Sequence, residues 1–239
     1  MSKVAIVVAL EREVRPVVKK WRVCAKEVGG RRFRFFEKDE IVLVCGGIGA
    51  EAARRAAEAV IAIYAPSVIY SAGFAGALDP ALKIGDVVHP RRVVNAGDGS
   101  SVNLDQGECV LVSFGSIASP AQKASLRDSF GAQVVDMEAA AVARAAEARG
   151  TGFAVVKAIS DEFDFTLPST ERFVDFDGQF LERRFAWFMA LRPWLWPQVA
   201  RLARNSNRAS CALCNWLRNM NTAAGSGGSG IHSRQAVNR

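Results

Sequence analysis

Three acidic side chains stand where apolar runs of the chain stop. Glu13 follows the run from Val4 to Leu10, Glu138 follows "VVDM", and Asp161 closes "AVVKAIS". A carboxylate at such a point has two readings. It can complement the partial positive charge of a helix's first turn. It can also act as a general acid or base, or as the counter-charge to a developing cation. Glycine clusters recur nearby, "GGIGA" from Gly46 and "SAGFAG" from Ser71. In open α/β sheets, ligands bind outside the carboxyl ends of the strands. Acids and glycines recurring at one such edge favour a site over a set of ordinary turns. Glu11 is the local alternative to Glu13, and Asp136, beside Glu138, reads as a solvated or strand-end residue.

The elements that would position these groups alternate between strand and helix. Val4–Leu10 reads as a buried strand, with a helix starting near Glu13. "FRFFEKDEIVLVCGG" reads as a hairpin turning at Lys38–Asp39. "AEAARRAAEAVIAIYA" has helical composition and ends at Pro66. "SVIYSAG", "CVLVSF", "AQVVDM" and "FAVVKAISD" read as strands, and "LKIGDVVHPRRVVN" as two short strands around Pro90. Ser119 and Pro120 open a helix as cap and first residue. "AGDGSSVNLDQGE" reads as a polar loop. Apolar strands alternating with helices imply a three-layer α/β/α sandwich with a central mixed sheet. The expected organisation is one domain over 1–221, with basic helices over 183–221 split near Pro193–Pro197, and a flexible Gly/Ser-rich tail over 222–239.

Composition narrows the classes. Half of the 239 residues are apolar and 23% are charged, the profile of a soluble globular chain. No apolar run reaches the roughly 18 residues of a transmembrane helix, and "VAIVVAL" lacks a cleavage pattern, so a cytoplasmic location is expected. Five irregularly spaced cysteines argue against a disulfide framework. Cys211 and Cys214 read as two small apolar residues on one helix face. Nine arginines and no acid or lysine fall between Arg183 and Arg239, so the net charge of +7 belongs to the C-terminal part. No nucleic-acid module accompanies it. Gly47, Gly49 and Ala52 fit a dinucleotide fingerprint, but the acid about 20 residues further on is missing.

"ALEREV", "GGIGAEAA", "SAGFAGALDPALKIGDVV", "VDMEAAAVA" and "VKAISD" resemble, in order and spacing, the nucleoside phosphorylase and nucleosidase superfamily. The similarity is to the branch of 5′-methylthioadenosine/S-adenosylhomocysteine nucleosidases, and also to hopanoid-associated phosphorylases in the arginine-rich region after the last strand. It covers Val4 to Asp161 well and the remainder loosely. The resemblance implies cleavage of a purine N-glycosidic bond. In it, Asp161 would neutralise the leaving base, Glu138 would bind the ribose hydroxyls, and Glu13 would handle the attacking water. Met137 would pack on the sugar, with Ile48, Phe74, Gly76, Ile117 and Ser160 also lining the substrate. Ile117 and Ala118 stand where an aromatic residue and its neighbour usually hold the purine, and Phe114 is the candidate substitute. Lys157 replaces a common arginine, either as a structural ion pair or in the site.

Hydrolysis of a 5′-modified adenosine is the favoured activity, because acids at Glu11 and Glu13 would repel phosphate. No cofactor or metal is expected. The alternative is phosphorolysis with phosphate as co-substrate, cradled by "GGIGA" and Ser71, with an adenosylated hopanoid as one substrate it would suit. A non-catalytic nucleoside-binding module is the non-enzyme alternative. The resemblance also implies a homodimer or larger homo-oligomer. The tryptophans and arginines of the C-terminal region read first as a helix packed on the body, and second as a peripheral membrane contact.

Overall fold

The computed structural model of the protein describes residues 3–165 and 196–225, together with Phe173, Gly178 and Leu181. Among these, the elements run β1 (Val4–Val8), α1 (Glu11–Val18), β2 (Arg22–Val28), β3 (Arg31–Lys38), β4 (Ile41–Cys45), α2 (Ala50–Tyr64) and β5 (Val68–Ala77). There follow β6 (Val87–Val88), β7 (Pro90–Asn95), β8 (Ser101–Asn103), β9 (Cys109–Ser113), α3 (Pro120–Phe130), β10 (Val134–Asp136), α4 (Ala139–Glu147), β11 (Gly152–Asp161) and α5 (Trp196–Gly225).

The strands form one mixed sheet, in the order β2-β3-β4-β1-β5-β10-β9-β7-β8, with β11 also on β5 and β6 on β11. Strand β5 is the pivot. Its first half pairs in parallel with β1, its whole length runs parallel to β11, and Gly76 and Ala77 pair antiparallel with β10. The carboxyl-end segments of β1, β5, β10 and β11 therefore arrive near one another.

Strand alternation divides the core. Ala5 and Val7 of β1 face α2 and α4, in a cluster rich in the alanines of α2. Ile6 and Val8 face the other way, towards Val14 and Val17 of α1 and Ala209, Leu213 and Leu217 of α5. The small alanines let α2 and α4 pack closely over the sheet. Helix α3 opens with a capping box: the Ser119 hydroxyl accepts from the Gln122 N–H, and the Gln122 side chain accepts from the Ser119 N–H.

The three-layer sandwich and mixed sheet are as expected. Two strands were not legible: β2, whose face is largely exposed, and the three-residue β8 inside the supposed polar loop. The C-terminal region also differs. From Trp196 a single helix runs 30 residues, with Pro197 one residue in, so the boundary expected at 221/222 falls inside it. Residues 183–195 and 226–239 lie outside the described residues. Of the "CALC" pair only Cys214 is buried, while Cys211 faces solvent. None of the described helices is long and apolar enough to cross a membrane.

Helix α5 is thus part of the core. Replacing the fully buried Leu213 by alanine should cost about 2–5 kcal/mol in a denaturant melt, as cavity-forming core truncations do. Replacing the solvent-facing Arg218, which among the described residues bonds its helix neighbour Asn215, should stay within about 0.5 kcal/mol.

Candidate active site

A cavity of about 510 Å³ opens at the carboxyl ends of β1, β5, β10 and β11. Glu13, Glu138 and Asp161 all line it. So do Ile48, Phe74, Gly76, Ile117, Met137 and Ser160, which the sequence had placed around a substrate. Phe114 does not. It packs into the apolar cluster of Val112, Leu126 and Val135 beneath the sheet. The loop therefore presents Ile117 and Ala118, not a ring, and Phe74 is the aromatic side chain among the lining residues.

Each carboxylate is placed by a different device. Glu13 lies in α1, 4% exposed. Its backbone carbonyl accepts from the Ser210 hydroxyl of α5 at 2.9 Å, with the Cys214 thiol at 3.7 Å, so α5 clamps the turn that carries it. Its Oε2 has no hydrogen-bond partner among the described residues. Burial away from water, and then the neighbouring Glu138 charge, push the Glu13 carboxyl up from the ordinary 4.5 to about 8, against the pull of Lys157 and Arg12. Glu11, the local alternative, is turned away and pairs with Arg34 at 2.9 Å.

Glu138 sits at the entrance of α4. Its Oε1 accepts the Gly49 N–H at 2.9 Å and its Oε2 the Met137 N–H at 3.2 Å. Gly49 caps α2 at φ +96°, so the "GGIGA" turn spends this amide on Glu138 rather than on a bound dinucleotide. The Ile48 N–H donates to the Gly178 carbonyl at 2.8 Å. Burial and Asp136 raise the Glu138 carboxyl above its usual range, while Lys157 and the two amides work the other way.

Asp136 is not solvated, contrary to expectation. It is buried against Lys157 Nζ at 2.8 Å, accepts from the Ser113 hydroxyl at 2.6 Å, and accepts the Ala139 N–H at 2.8 Å. A strand-end acid turned inward can thus cap the helix that follows while neutralising a buried cation. Lys157 also donates to Ser71 Oγ at 3.3 Å, which takes Ser71 into the core instead of the cavity lining. Burial lowers the Lys157 ammonium, but Asp136 and Glu138 outweigh it and the net shift is upward. Lys157 is therefore an ion-paired residue lying just beneath the site.

Asp161 is aimed by a β-bulge. The register of β11 on β5 slips between Ile159 and Asp161, leaving Ser160 as the extra residue. Such a bulge re-aims the side chain that follows it. The Ser160 hydroxyl donates to Asp161 Oδ1 at 2.9 Å, and the Lys123 ammonium bonds Oδ2. Lys123 was missed in the sequence, where it reads as an ordinary surface residue of an amphipathic helix. Leu202 and Ser206 of α5 complete the wall, so the basic C-terminal region contributes to the site after all.

Two glycines of β5 make room for two of these acids. A Cβ on Gly73 would lie 2.9 Å from Glu13 Oε2, and one on Gly76 would lie 2.8 Å from Asp161 Oδ2. Gly76→Ala should push Asp161 aside and cost on the order of 10²-fold in turnover, the price of roughly ångström misplacement, with the melting temperature as control. The weakened acidity of Glu13 has its own consequence. The folded state holds a proton that the unfolded state releases near pH 4.5, so wild-type stability should fall as pH rises from about 4.5 to about 8 and then level off. Glu13→Gln should flatten that decline in pH-dependent melts; an unchanged slope would show that Glu13 is not the titrating group.

The profile of the phosphorylase superfamily matches residues 3–110 and 109–190. A 5′-methylthioadenosine/S-adenosylhomocysteine nucleosidase of Marinomonas sp. (strain MWYL1) is 28% identical over 200 residues, covering 67% of this chain and 86% of the relative. Two solved Helicobacter pylori proteins share the fold at 18% identity. One is a futalosine hydrolase, with TM-score 0.69 over 93% of this chain and 98% of the other. The second is a nucleosidase variant with 5′-methylthioadenosine in its active site, with TM-score 0.70 over 93% and 99%. With its sequence matched from β1 past β11, the chain belongs to the phosphorylase superfamily.

Proposed function

We propose that this protein hydrolyses the N-glycosidic bond of a 5′-modified adenosine and releases adenine. The observation that carries the reading is the convergence of Glu13, Glu138 and Asp161 on one cavity. Breaking the bond builds positive charge on the ribose and negative charge on the base. Glu138, fixed by the Gly49 and Met137 amides, is suited to bind the ribose hydroxyls and stabilise the cation. Glu13, with a free carboxylate oxygen, is suited to take a proton from the attacking water. Asp161, held by the Ser160 hydroxyl against Gly76, is suited to the purine. Met137 supplies an apolar surface for the sugar, and Ile48, Phe74 and Ile117 supply the rest. The curated relatives that share sequence with this chain carry the nucleosidase name, which supports the same substrate class. A homodimer or larger assembly is part of the reading and is measurable by light scattering.

Phosphorolysis is the second reading, and one observation favours it: Arg12 lines the cavity, and guanidinium suits phosphate. Hydrolysis is preferred because the other groups that would cradle phosphate are engaged. The Gly49 amide is bound to Glu138, and Ser71 lies under Lys157.

The assay is adenine release from 5′-methylthioadenosine with and without phosphate. Hydrolysis predicts equal rates and free methylthioribose; phosphate dependence and a ribose 1-phosphate product would establish the second reading. Glu13→Gln should lower kcat by about 10²–10⁴-fold, the usual worth of a general base. The base must be ionised, so the rate of the wild type should climb with pH until Glu13 titrates near 8.

A further inference from the structure

Lys123 is 1% exposed, yet it lines the cavity. It rises from α3, an otherwise solvated helix in which only it and Leu126 are buried. Its ammonium bonds Asp161 Oδ2 and donates to the Glu162 carbonyl at 2.7 Å. A buried ion pair is by itself weak evidence for stability, since apolar residues of similar volume often hold a fold as well. What this pair does supply is a proton and a positive charge at the Gly76 end of the cavity, where Asp161 lies, whereas Glu13 lies against Gly73. That is where a departing purine accumulates negative charge. An ionised Asp161 alone would repel it.

We infer that Lys123 is the proton reserve for the leaving base and that Asp161 passes the proton on. This rests on the nucleosidase reading above and deepens it. As the C1′–N bond breaks, its electron pair goes to the purine. The Nζ–H bond of Lys123 breaks as an O–H bond forms on Asp161, and that O–H bond breaks as an N–H bond forms on the purine. Asp161 ends as the carboxylate it was. Lys123 ends as a neutral amine and regains a proton from solvent, matching the one that the attacking water gives up through Glu13. Lys123 is a positioning and proton-supplying residue that acts through Asp161, and the purine contact remains with Asp161.

The test compares two substrates: 5′-methylthioadenosine, whose base must be protonated, and a p-nitrophenyl riboside, whose leaving group needs no proton. In Lys123→Met, kcat should fall about 10²-fold or more on the purine nucleoside but less than about threefold on the nitrophenyl riboside. Lys123→Arg, which keeps a cation but holds its proton too tightly to donate, should restore the melting temperature without restoring purine turnover. The double variant Lys123→Met/Asp161→Asn removes the stranded buried charge, and it should be no slower than Asp161→Asn alone, because the two residues act as one unit. Equal losses on both substrates, full purine activity in Lys123→Met, or additive losses in the double variant would overturn the inference and leave the nucleosidase reading intact. Failure of the wild type to release base from any purine nucleoside would overturn both.

Discussion

The site depends on one buried ion pair, Lys157 with Asp136, each side chain at most 1% exposed. Glu13 and Glu138 share a cavity, and two carboxylates in a low-dielectric space repel each other strongly. Lys157 is the cation beneath them. It offsets both, as the opposing pulls on Glu13 and Glu138 show. Asp136 in turn keeps Lys157 charged and caps α4, the helix at whose entrance Glu138 stands. Removing either partner would leave a lone charge in the core, which typically costs about 3–5 kcal/mol. The same pair therefore holds β10, β11 and α4 together and sets the charge of the part of the cavity that Glu13 and Glu138 line.

Around Asp161 the arrangement differs. There the acid, Asp161, is held by a lysine in direct contact and by the hydroxyl beside it. Carboxylates with no cation in direct contact thus share the cavity with one, Asp161, that a lysine touches. That asymmetry follows the polarity of a glycosidic bond as it breaks, cationic at the sugar and anionic at the base. A cavity built this way does electrostatic work before any substrate moves, because its dipoles are already fixed by the fold.

Three scaffold features make the convergence possible. Glycines at positions 73 and 76 of β5 leave the space that two carboxyl groups fill. The bulge at Ser160 turns Asp161 towards the cavity. Helix α5, far away in sequence, bonds the carbonyl of Glu13 through Ser210 and closes the wall with Leu202 and Ser206. The last connection explains why a basic helix belongs to the wall of the cavity. Its apolar stripe packs on α1, and its arginines are left for solvent and for Glu162.

Much of this was legible in the residues alone. Apolar runs broken by helical segments determined the layered α/β class, and the acids and glycines at the strand ends determined which edge to look at, because strand periodicity and turn chemistry are local. The sequence could not tell that Asp136 turns inward while Glu11 turns out, that Phe114 packs below the sheet, or that Lys123 reaches Asp161. Those outcomes depend on which residues meet across 38 positions of chain for Lys123 and 197 for Ser210. Sequence spacing carries no record of such contacts. Only the closing of the sheet around β5 and the docking of α5 decided which charges are buried, and burial is what turns an ordinary acid into a reactive one.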